Sequence, residues 1–224
     1  MSKILFATAT HDYAILSQNL GASEVLKTHP LAILHGFESV PAAYNSLIAS
    51  AFDWVVFVHH DVFLPPDFEA SLRATLAVAA PDWAILGVAG VNLENGVRTM
   101  HGNLIDRGRP WGRPDDLPCQ VRTLDEVILI VRGTYRWERA FLQFDPRFPF
   151  DFYGADLCMQ AEARGLRCMA IHAPIVHNST RPFGGRTAAF YEAEEAFRKK
   201  WYNELPVATT CALVQDNKRA LKIP

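Results

Sequence analysis

The chain has 224 residues, of which 50% are hydrophobic and 21% are charged, and its formal net charge is −2. This length allows one sizeable α/β domain with a buried core, and the composition is that of a globular protein rather than a disordered one. The nearly balanced charge gives no electrostatic basis for binding nucleic acid or an anionic membrane, so neither is expected as the main partner.

The sequence predicts neither membrane insertion nor export. No segment approaches the roughly 18 consecutive apolar residues of a membrane span. The N-terminal "MSKILFATAT" lacks the apolar core and cleavage site of a signal peptide. The cysteines form no CxxC pair and have apolar neighbours, which favours reduced thiols; they are Cys119, Cys158, Cys168 and Cys211. We therefore expect a cytoplasmic protein with no transmembrane segment.

Strands and helices alternate through the first ninety residues. Apolar runs predict strands at 3–8, 31–36, 54–58 and 83–91. Apolar residues at helical spacing predict helices at 11–20, 41–52 and 66–80. The run "WVVFV" has no polar alternation, which is typical of a central parallel strand covered on both faces. This order predicts a doubly wound, mostly parallel sheet.

The second half of the chain begins with a different kind of segment. Residues 94–118 are rich in Gly, Pro and Arg and show little periodicity, which predicts a long loop of the kind that often binds ligands. A strand at 126–131 resumes the sheet, and a helix is predicted at 155–165. The strand "RCMAIH" and a helix at 186–201 follow.

The strand at 54–58 ends in three polar residues, His59, His60 and Asp61. Ligands of doubly wound sheets bind at the carboxyl ends of strands. Side chains alternate along a strand, so His59 and Asp61 should share one face and His60 the other. A carboxylate suits Mg²⁺ or Mn²⁺, and imidazole tolerates Mn²⁺. The alternative is that Asp61 caps the following helix and the histidines only form hydrogen bonds.

A second group of polar residues lies about a hundred residues later, in "FDPRFPFDFYGADLCMQAEARGLRCMAIHAPIVHNS". It contains Asp145, Asp151, Asp156 and His177. Asp156 opens a predicted helix, where a carboxylate can also serve as an N-terminal cap. His177 follows the apolar "APIV" at another apparent strand end. Taken singly, each of these residues has a structural alternative to a catalytic role.

In this order, the motifs resemble those of GT-A glycosyltransferases of the family 2-like group. "SVPAAYNSLIASAFDWVVFVHHDVFLPPDFEASLRA" resembles their first half, in which a signature helix leads into a strand that ends in a DxD-type motif. The segment from "FDPRF" to "IVHNS" resembles their second half, and "FRKKWYNELPV" resembles their Lys-Trp…Leu-Pro tail. The resemblance covers about residues 3–207.

The resemblance implies one domain over residues 1–224, with a GT-A (Rossmann-like) α/β/α sandwich and a mostly parallel central sheet. About 1–93 would be the nucleotide-sugar-binding half, about 94–207 the acceptor and catalytic half, and 208–224 a C-terminal tail. The implied activity is an inverting, metal-dependent transfer from a nucleotide-diphosphate sugar to a glycan or glycolipid acceptor, as in polysaccharide biosynthesis.

The resemblance also implies which residues of this chain form the donor site, by their positions in the motifs. Asp61 matches the last Asp of the DxD motif, which binds Mn²⁺ or Mg²⁺, and His177 matches a histidine that can complete the metal shell. His59 stands at the first Asp position, where the family often contacts the donor. Tyr44 and Asn45 match the signature helix near the nucleotide.

The chain departs from the family pattern at two places. His59 replaces a carboxylate, so this motif supplies one acidic metal ligand. The usual Glu-Asp pair, whose Asp is the catalytic base of inverting members, would fall on Tyr153 and Gly154. The nearest carboxylates are Asp151 and Asp156, and Asp156 is the favoured base because it keeps the "D-L-C" context.

Five further residues are candidate substrate contacts. Arg181 and Arg186 lie in the Gly-rich "NSTRPFGGR", which could close over the diphosphate. Trp111 could stack on an acceptor sugar, and Asp125 and Arg132 flank "VILIV", a strand expected to approach the site. For each of them, an exposed position without a role is the alternative.

Two other functions remain open. The missing carboxylates at His59 and Gly154 are compatible with a non-catalytic relative that binds nucleotide or carbohydrate. A sugar nucleotidyltransferase is less favoured, because such enzymes carry a Gly-rich, basic N-terminal loop and "FATATHDYA" has neither a glycine nor a basic run.

Overall fold

The computed structural model of the protein describes residues 2–47, 52–133, 142–180 and 185–216. The strands are β1 (Ile4–Ala9), β2 (Leu31–Leu34), β3 (Trp54–Val58), β4 (Val62–Phe63), β5 (Trp83–Gly87), β6 (Ala89–Glu94), β7 (Val97–Gly102), β8 (Leu104–Asp106), β9 (Arg109–Trp111), β10 (Cys119–Val121), β11 (Thr123–Leu124), β12 (Ile128–Arg132), β13 (Arg167–Ala170), β14 (Ile175–His177), β15 (Val207–Ala208) and β16 (Leu213–Val214). The helices are α1 (Tyr13–Gln18), α2 (Val40–Asn45), α3 (Phe68–Val78), α4 (Tyr153–Glu162) and α5 (Ala188–Lys200).

A seven-stranded sheet forms the centre of the molecule, in the order β10-β13-β5-β12-β3-β1-β2. The pairs β1–β2, β1–β3 and β5–β13 are parallel, which confirms the α/β architecture. The sheet is more mixed than predicted, because β12 is antiparallel to both of its neighbours and β10 is antiparallel to β13. A parallel neighbour needs a crossover connection, usually a helix, and the chain between β5 and β12 forms short strands instead.

Helices cover both faces of this sheet. All five residues of β3 are buried, as predicted for a central strand. Val55 and Phe57 face a core shared with α2, α4 and α5, whereas Trp54, Val56 and Val58 face a second core shared with α1 and α3. This two-sided burial explains the unbroken apolar run in the sequence, and it makes the fold a three-layer α/β/α sandwich.

The prediction of a long loop at 94–118 is wrong. This segment contains all of β7, β8 and β9, and a tight turn at Asn95 and Gly96, both with positive φ, joins β6 to β7. The buried side chains of β7 include Thr99 and His101. Because these inward-facing residues are polar, the segment lacks the apolar alternation by which a strand is recognised in a sequence.

Most predicted helices are present with shifted ends. The helix predicted at 41–52 is present as α2, which ends at Asn45 with Ser46 as its C-cap; residues 48–51 lie outside the described part of the chain. The predicted helix at 155–165 begins two residues earlier, at Tyr153, and Gly165 follows it with a φ of 70°. No helix among the described residues is long and apolar enough to cross a membrane.

Candidate functional site

The polar ends of β3 and β14 meet at one edge of the molecule. Asp61 follows β3, and the antiparallel pairing of β4 with β14 places His177 opposite Val62. The amide of Asn178 also donates a hydrogen bond of 2.9 Å to the backbone oxygen of Asp61. One ligand atom from each of His59, Asp61 and His177 lies within 4.8 Å of the others, and no second such group is found among the described residues.

The geometry of this His-Asp-His cluster fits a metal ion. Asp61 Oδ1 lies 3.5 Å from His177 Nε2 and 4.0 Å from His59 Nδ1. The same oxygen is buried and makes no hydrogen bond within the described part of the chain. Leaving a buried carboxylate oxygen without a partner is costly. A divalent cation would satisfy this oxygen and accept both imidazoles.

Asp106 supports the cluster from behind. The parallel pairing of β8 with β14 sets Asp106 opposite His177. Asp106 Oδ1 lies 3.0 Å from His177 Nδ1, an ion-pair contact without hydrogen-bond geometry. A carboxylate on the far nitrogen of a metal-binding histidine fixes the ring orientation and tautomer. Asp106 is not apparent as a site residue from the sequence, because its segment has the pattern of a loop and nothing in the sequence indicates the pairing of β8 with β14.

Two of the three cluster side chains, His59 and Asp61, are in the protonation state that binds a cation. Burial lowers the pKa of His59 to about 4 against the opposing charge of Asp61, so the imidazole is neutral near pH 7. Burial acts to raise the pKa of Asp61, but the contact with His177 and the charge of His59 outweigh it and lower that pKa to about 2. The cluster therefore presents an ionised carboxylate and a neutral ring. Burial acts to lower the pKa of His177, but the contact with Asp61 and the charges of Asp61, Asp125 and Asp106 outweigh it and raise that pKa, so a cation must displace a proton from this ring.

An acidic group borders the His-Asp-His cluster and consists of Asp125, Glu126 and Asp151. The carboxylate of Glu126 accepts a hydrogen bond of 3.1 Å from the amide of Gly154, at the start of α4. Burial, followed by the charges of Asp125 and Asp151, raises the pKa of Glu126 to about 8. Tyr153, next to Gly154, has its hydroxyl 3.2 Å from His59 Nε2 and links the two groups.

Asp125 lies between these two groups. One of its oxygens accepts a hydrogen bond of 2.9 Å from the amide of Val127, and the other accepts from the hydroxyl of Thr210. Its charge contributes to the raised pKa of His177 and acts against the lowering of the pKa of His59, as expected for a carboxylate close to the cluster. Asp125 thus lies near the predicted site. Because β12 runs antiparallel to β3, the start of β12, which follows Asp125, lies beside the end of β3.

Comparison with known proteins gives one partial sequence match. No protein-family model matches the chain. A curated protein of Fuscovulum blasticum, "ATP synthase subunits region ORF 6", is 35% identical over 131 residues, which are 55% of this chain and 51% of that protein. The chain thus spans about half the length of this relative, whose name states no activity.

Solved structures resemble the chain over most of its length. The mannosyltransferase PcManGT from Pyrobaculum calidifontis, in complex with GDP-Man and Mn²⁺, matches 92% of this chain and 65% of its own with a TM-score of 0.58 and 10% identity. The fold is glycosyltransferase-like. An identity this low shows the fold alone. A197 from STIV, at 10% identity, matches 79% of this chain and 82% of its own, but its TM-score of 0.43 supports no argument.

Within this glycosyltransferase-like fold, Asp156 is enclosed by protein. Its side chain has no exposed surface, and its oxygens accept hydrogen bonds of 2.7 Å from Gln160 and 2.8 Å from the indole of Trp201. Lys200 Nζ lies 2.6 Å from it and 2.7 Å from Asp145. A substrate could not reach these oxygens in this conformation. The capping alternative is also wrong, because α4 has no side-chain cap.

Tyr44 and Asn45 face the core of the glycosyltransferase-like fold. Tyr44 is 2% exposed, and its ring centroid lies 4.5 Å from that of Phe57. Asn45 exchanges two hydrogen bonds with the backbone of Phe144, at 2.7 and 3.1 Å. Both residues hold α2 against neighbouring segments, so the signature they carry is explained by packing.

Arg132 lies at the opposite end of the sheet from the predicted site. It pairs with Trp54, the first residue of β3, whereas the His-Asp-His cluster follows the last. Its guanidinium donates to the backbone oxygens of Trp83 and Ala80 and lies 4.4 Å from the centroid of the Trp54 ring. The prediction that Arg132 contacts substrate is therefore wrong, because β12 is antiparallel to β3.

The remaining predicted contacts have varied positions. Trp111 is partly buried and packs against the second core and Gly102. Arg186 donates to the backbone oxygen of Cys211, next to the Thr210 that binds Asp125. Arg181 lies outside the described residues. His60 faces away from the cluster, as the strand alternation predicted, with Nδ1 2.6 Å from the hydroxyl of Thr10.

Proposed function

We propose that this protein is a metal-dependent glycosyltransferase that moves a sugar, with inversion, from a nucleoside-diphosphate sugar to a glycan or glycolipid acceptor. The observation that carries the proposal is the buried Asp61 Oδ1, which faces two imidazoles and makes no hydrogen bond among the described residues. A mannosyltransferase whose structure contains GDP-Man and Mn²⁺ shares the fold, which supports this choice of ligands.

The His-Asp-His cluster would hold the cation, Mn²⁺ or Mg²⁺. Asp61 and His177 are the proposed ligands, His59 completes the shell or contacts the donor, and Asp106 orients His177. A cation bound there would offset the charge that grows on the departing diphosphate. The cluster lies at the carboxyl end of β3, the usual place for ligands in open α/β sheets.

Further residues are proposed substrate contacts. Arg186 and Arg181 would bind the diphosphate, and Asp125 would contact the sugar or the acceptor. Trp111 stays a proposed acceptor contact, since its ring is only partly buried. Asp151 is close enough to raise the pKa of Glu126 and belongs to the reacting side of the site.

The test is calorimetric titration of GDP and UDP in the presence and absence of Mn²⁺. We expect the wild-type protein to bind one of these nucleotides only with Mn²⁺. Loss of a residue that merely orients a metal ligand weakens metal binding by about 10- to 100-fold, so Asp61→Asn, which removes a direct ligand, is expected to cost more than about 100-fold.

Asp67→Asn is the matched control, because Asp67 is exposed, lies six residues further on and makes no side-chain cap to α3. This variant should bind like the wild type. Binding that is independent of Mn²⁺, or that is unchanged in Asp61→Asn, would contradict the proposed site.

The second candidate is a non-catalytic protein that binds a sugar nucleotide. Gly154 favours this non-catalytic function, because glycine has no carboxylate at the position where the GT-A family that the sequence resembles has its catalytic base. Turnover separates the two functions. A catalyst releases the nucleoside diphosphate from GDP-mannose or UDP-glucose with Mn²⁺, whereas a binding protein returns the sugar nucleotide intact.

A further inference from the structure

The space next to Gly154 is filled by a carboxylate from another part of the chain. Gly154 is the second residue of α4, and a Cβ built on it would lie 3.0 Å from Glu126 Cγ, 3.2 Å from Leu129 Cδ1 and 3.3 Å from Glu126 Cδ. The amide of Gly154 also donates to Glu126 Oε1 at 3.1 Å. Glu126 therefore occupies the volume into which a side chain at position 154 would project.

Strand pairing brings Glu126 to the edge of the sheet that carries the metal cluster. Glu126 comes two residues before β12, whose first residue, Ile128, pairs with Val58. The amide of His59 donates a hydrogen bond of 3.1 Å to the backbone oxygen of Val127. Val127, the residue after Glu126, is thus hydrogen-bonded to His59 of the His-Asp-His cluster.

Three other carboxylates near the cluster are already engaged. Asp125 accepts hydrogen bonds at both oxygens, and Asp61 faces the two imidazoles. Asp156 is held by Lys200 and Trp201 without exposed surface. Glu126 is partly exposed, and its carboxylate accepts hydrogen bonds from backbone amides, including that of Gly154 at 3.1 Å, but from no cation among the described residues.

We infer that Glu126 is the general base of the transfer, in place of the carboxylate that position 154 lacks; this inference rests on the proposed function. The acceptor oxygen forms a bond to the anomeric carbon of the donor sugar while its proton passes to the Glu126 carboxylate. The bond from the anomeric carbon to the phosphate oxygen breaks, and its electron pair leaves with the nucleoside diphosphate. The proton then passes to solvent.

The surroundings of Glu126 make its carboxylate a stronger base than an exposed one. Burial and the charges of Asp125 and Asp151 raise its pKa to about 8, which is close to the neutral pH at which proton transfer is most effective. The titratable groups that face it from the neighbouring segments are Asp125, Asp151, Tyr153 and Cys211.

The first test is the variant Glu126→Gln, assayed by release of GDP or UDP from GDP-mannose or UDP-glucose with Mn²⁺. Glutamine keeps the size of the side chain and an oxygen that can accept from Gly154. A general base contributes about 100- to 10,000-fold, so turnover should fall by that factor. Binding of the nucleotide with Mn²⁺ should be unchanged. Glu162→Gln, an exposed position on α4, is the control and should keep full turnover.

The second test moves the carboxylate. Removing the Glu126 side chain opens volume beside position 154. The double variant Glu126→Ala/Gly154→Asp should therefore turn over at least about tenfold faster than Glu126→Ala alone. A purely structural role for Glu126 would not allow this recovery, since the aspartate cannot restore the hydrogen bond between Glu126 and Gly154.

The outcomes separate the inference from the proposed function. A folded wild-type protein that turns over no sugar nucleotide overturns both. Wild-type turnover that persists in Glu126→Gln overturns the role of Glu126 alone. Loss of nucleotide binding in Glu126→Gln, or no recovery in a folded double variant, also overturns that role, because Glu126 would then serve structure or binding.

Discussion

Single residues of the same type have different tasks in this protein, and their surroundings decide which. Asp61 keeps a buried oxygen without a hydrogen bond within the described chain, next to two imidazoles. Asp156 has both oxygens bound and a lysine beside it. An oxygen without a partner is available to a ligand, whereas removing one partner of a buried ion pair leaves the other charge less well compensated. The sequence motif alone favoured Asp156 for catalysis.

Asp156→Asn is expected to lower stability rather than block the reaction. Asparagine keeps an acceptor for Trp201 but loses the charge that faces Lys200. Lys200 keeps its ion pair with Asp145. Hydrogen bonds to charged groups contribute about 1.5–3 kcal/mol, so the free energy of unfolding should fall by about 1–3 kcal/mol in urea denaturation. Nucleotide binding and turnover should persist below the unfolding transition. Normal stability with lost turnover would instead make Asp156 catalytic.

At the scale of elements, the site depends on how short strands pair. His177 reaches Asp61 because β14 lies between β4 and β8, and β8 supplies Asp106. Likewise, the antiparallel course of β12 brings Glu126 to the end of β3 and takes Arg132 to the other end. Each pairing joins residues that are far apart in the sequence, so spacing along the chain does not indicate it.

Asp106→Asn tests whether the pairing of β8 with β14 serves the metal. The substitution keeps the shape of the side chain and removes the charge 3.0 Å from His177 Nδ1. Loss of such a supporting carboxylate typically weakens metal binding by about 10- to 100-fold, which titration with Mn²⁺ should show. Asp115→Asn, at an exposed position of the same segment, is the control. Equal Mn²⁺ affinities in the three proteins would rule out this role for Asp106.

For the whole molecule, the burial of Glu126 links folding to pH. Its pKa rises from 4.5 to about 8 on folding, so between these values the folded chain binds more protons than the unfolded chain. Stability that Glu126 contributes is therefore lost as pH rises through this window, by at most about 1.4 kcal/mol per pH unit.

Glu126→Gln should accordingly gain stability relative to the wild type as pH rises. The difference in free energy of unfolding between the two proteins, from urea denaturation near each end of this window, should grow in favour of the variant. The same comparison with Glu162→Gln should show a constant difference. A constant difference for Glu126→Gln would mean that its carboxyl group titrates normally in the folded protein.

The sequence by itself determined the α/β class, the buried strand "WVVFV" and the polar residues that end it, because apolar periodicity reports directly which side chains are buried. The resemblance of its motifs to a known family also implied that Asp61 and His177 bind a metal, with His59 as a donor contact, and the structure places the three side chains together. Only the tertiary structure decided the mixed sheet, the support from Asp106 and the place of Glu126 beside Gly154. These features arise from pairing between distant segments. A sequence also does not show whether the oxygens of a carboxylate have hydrogen-bond partners in the folded protein.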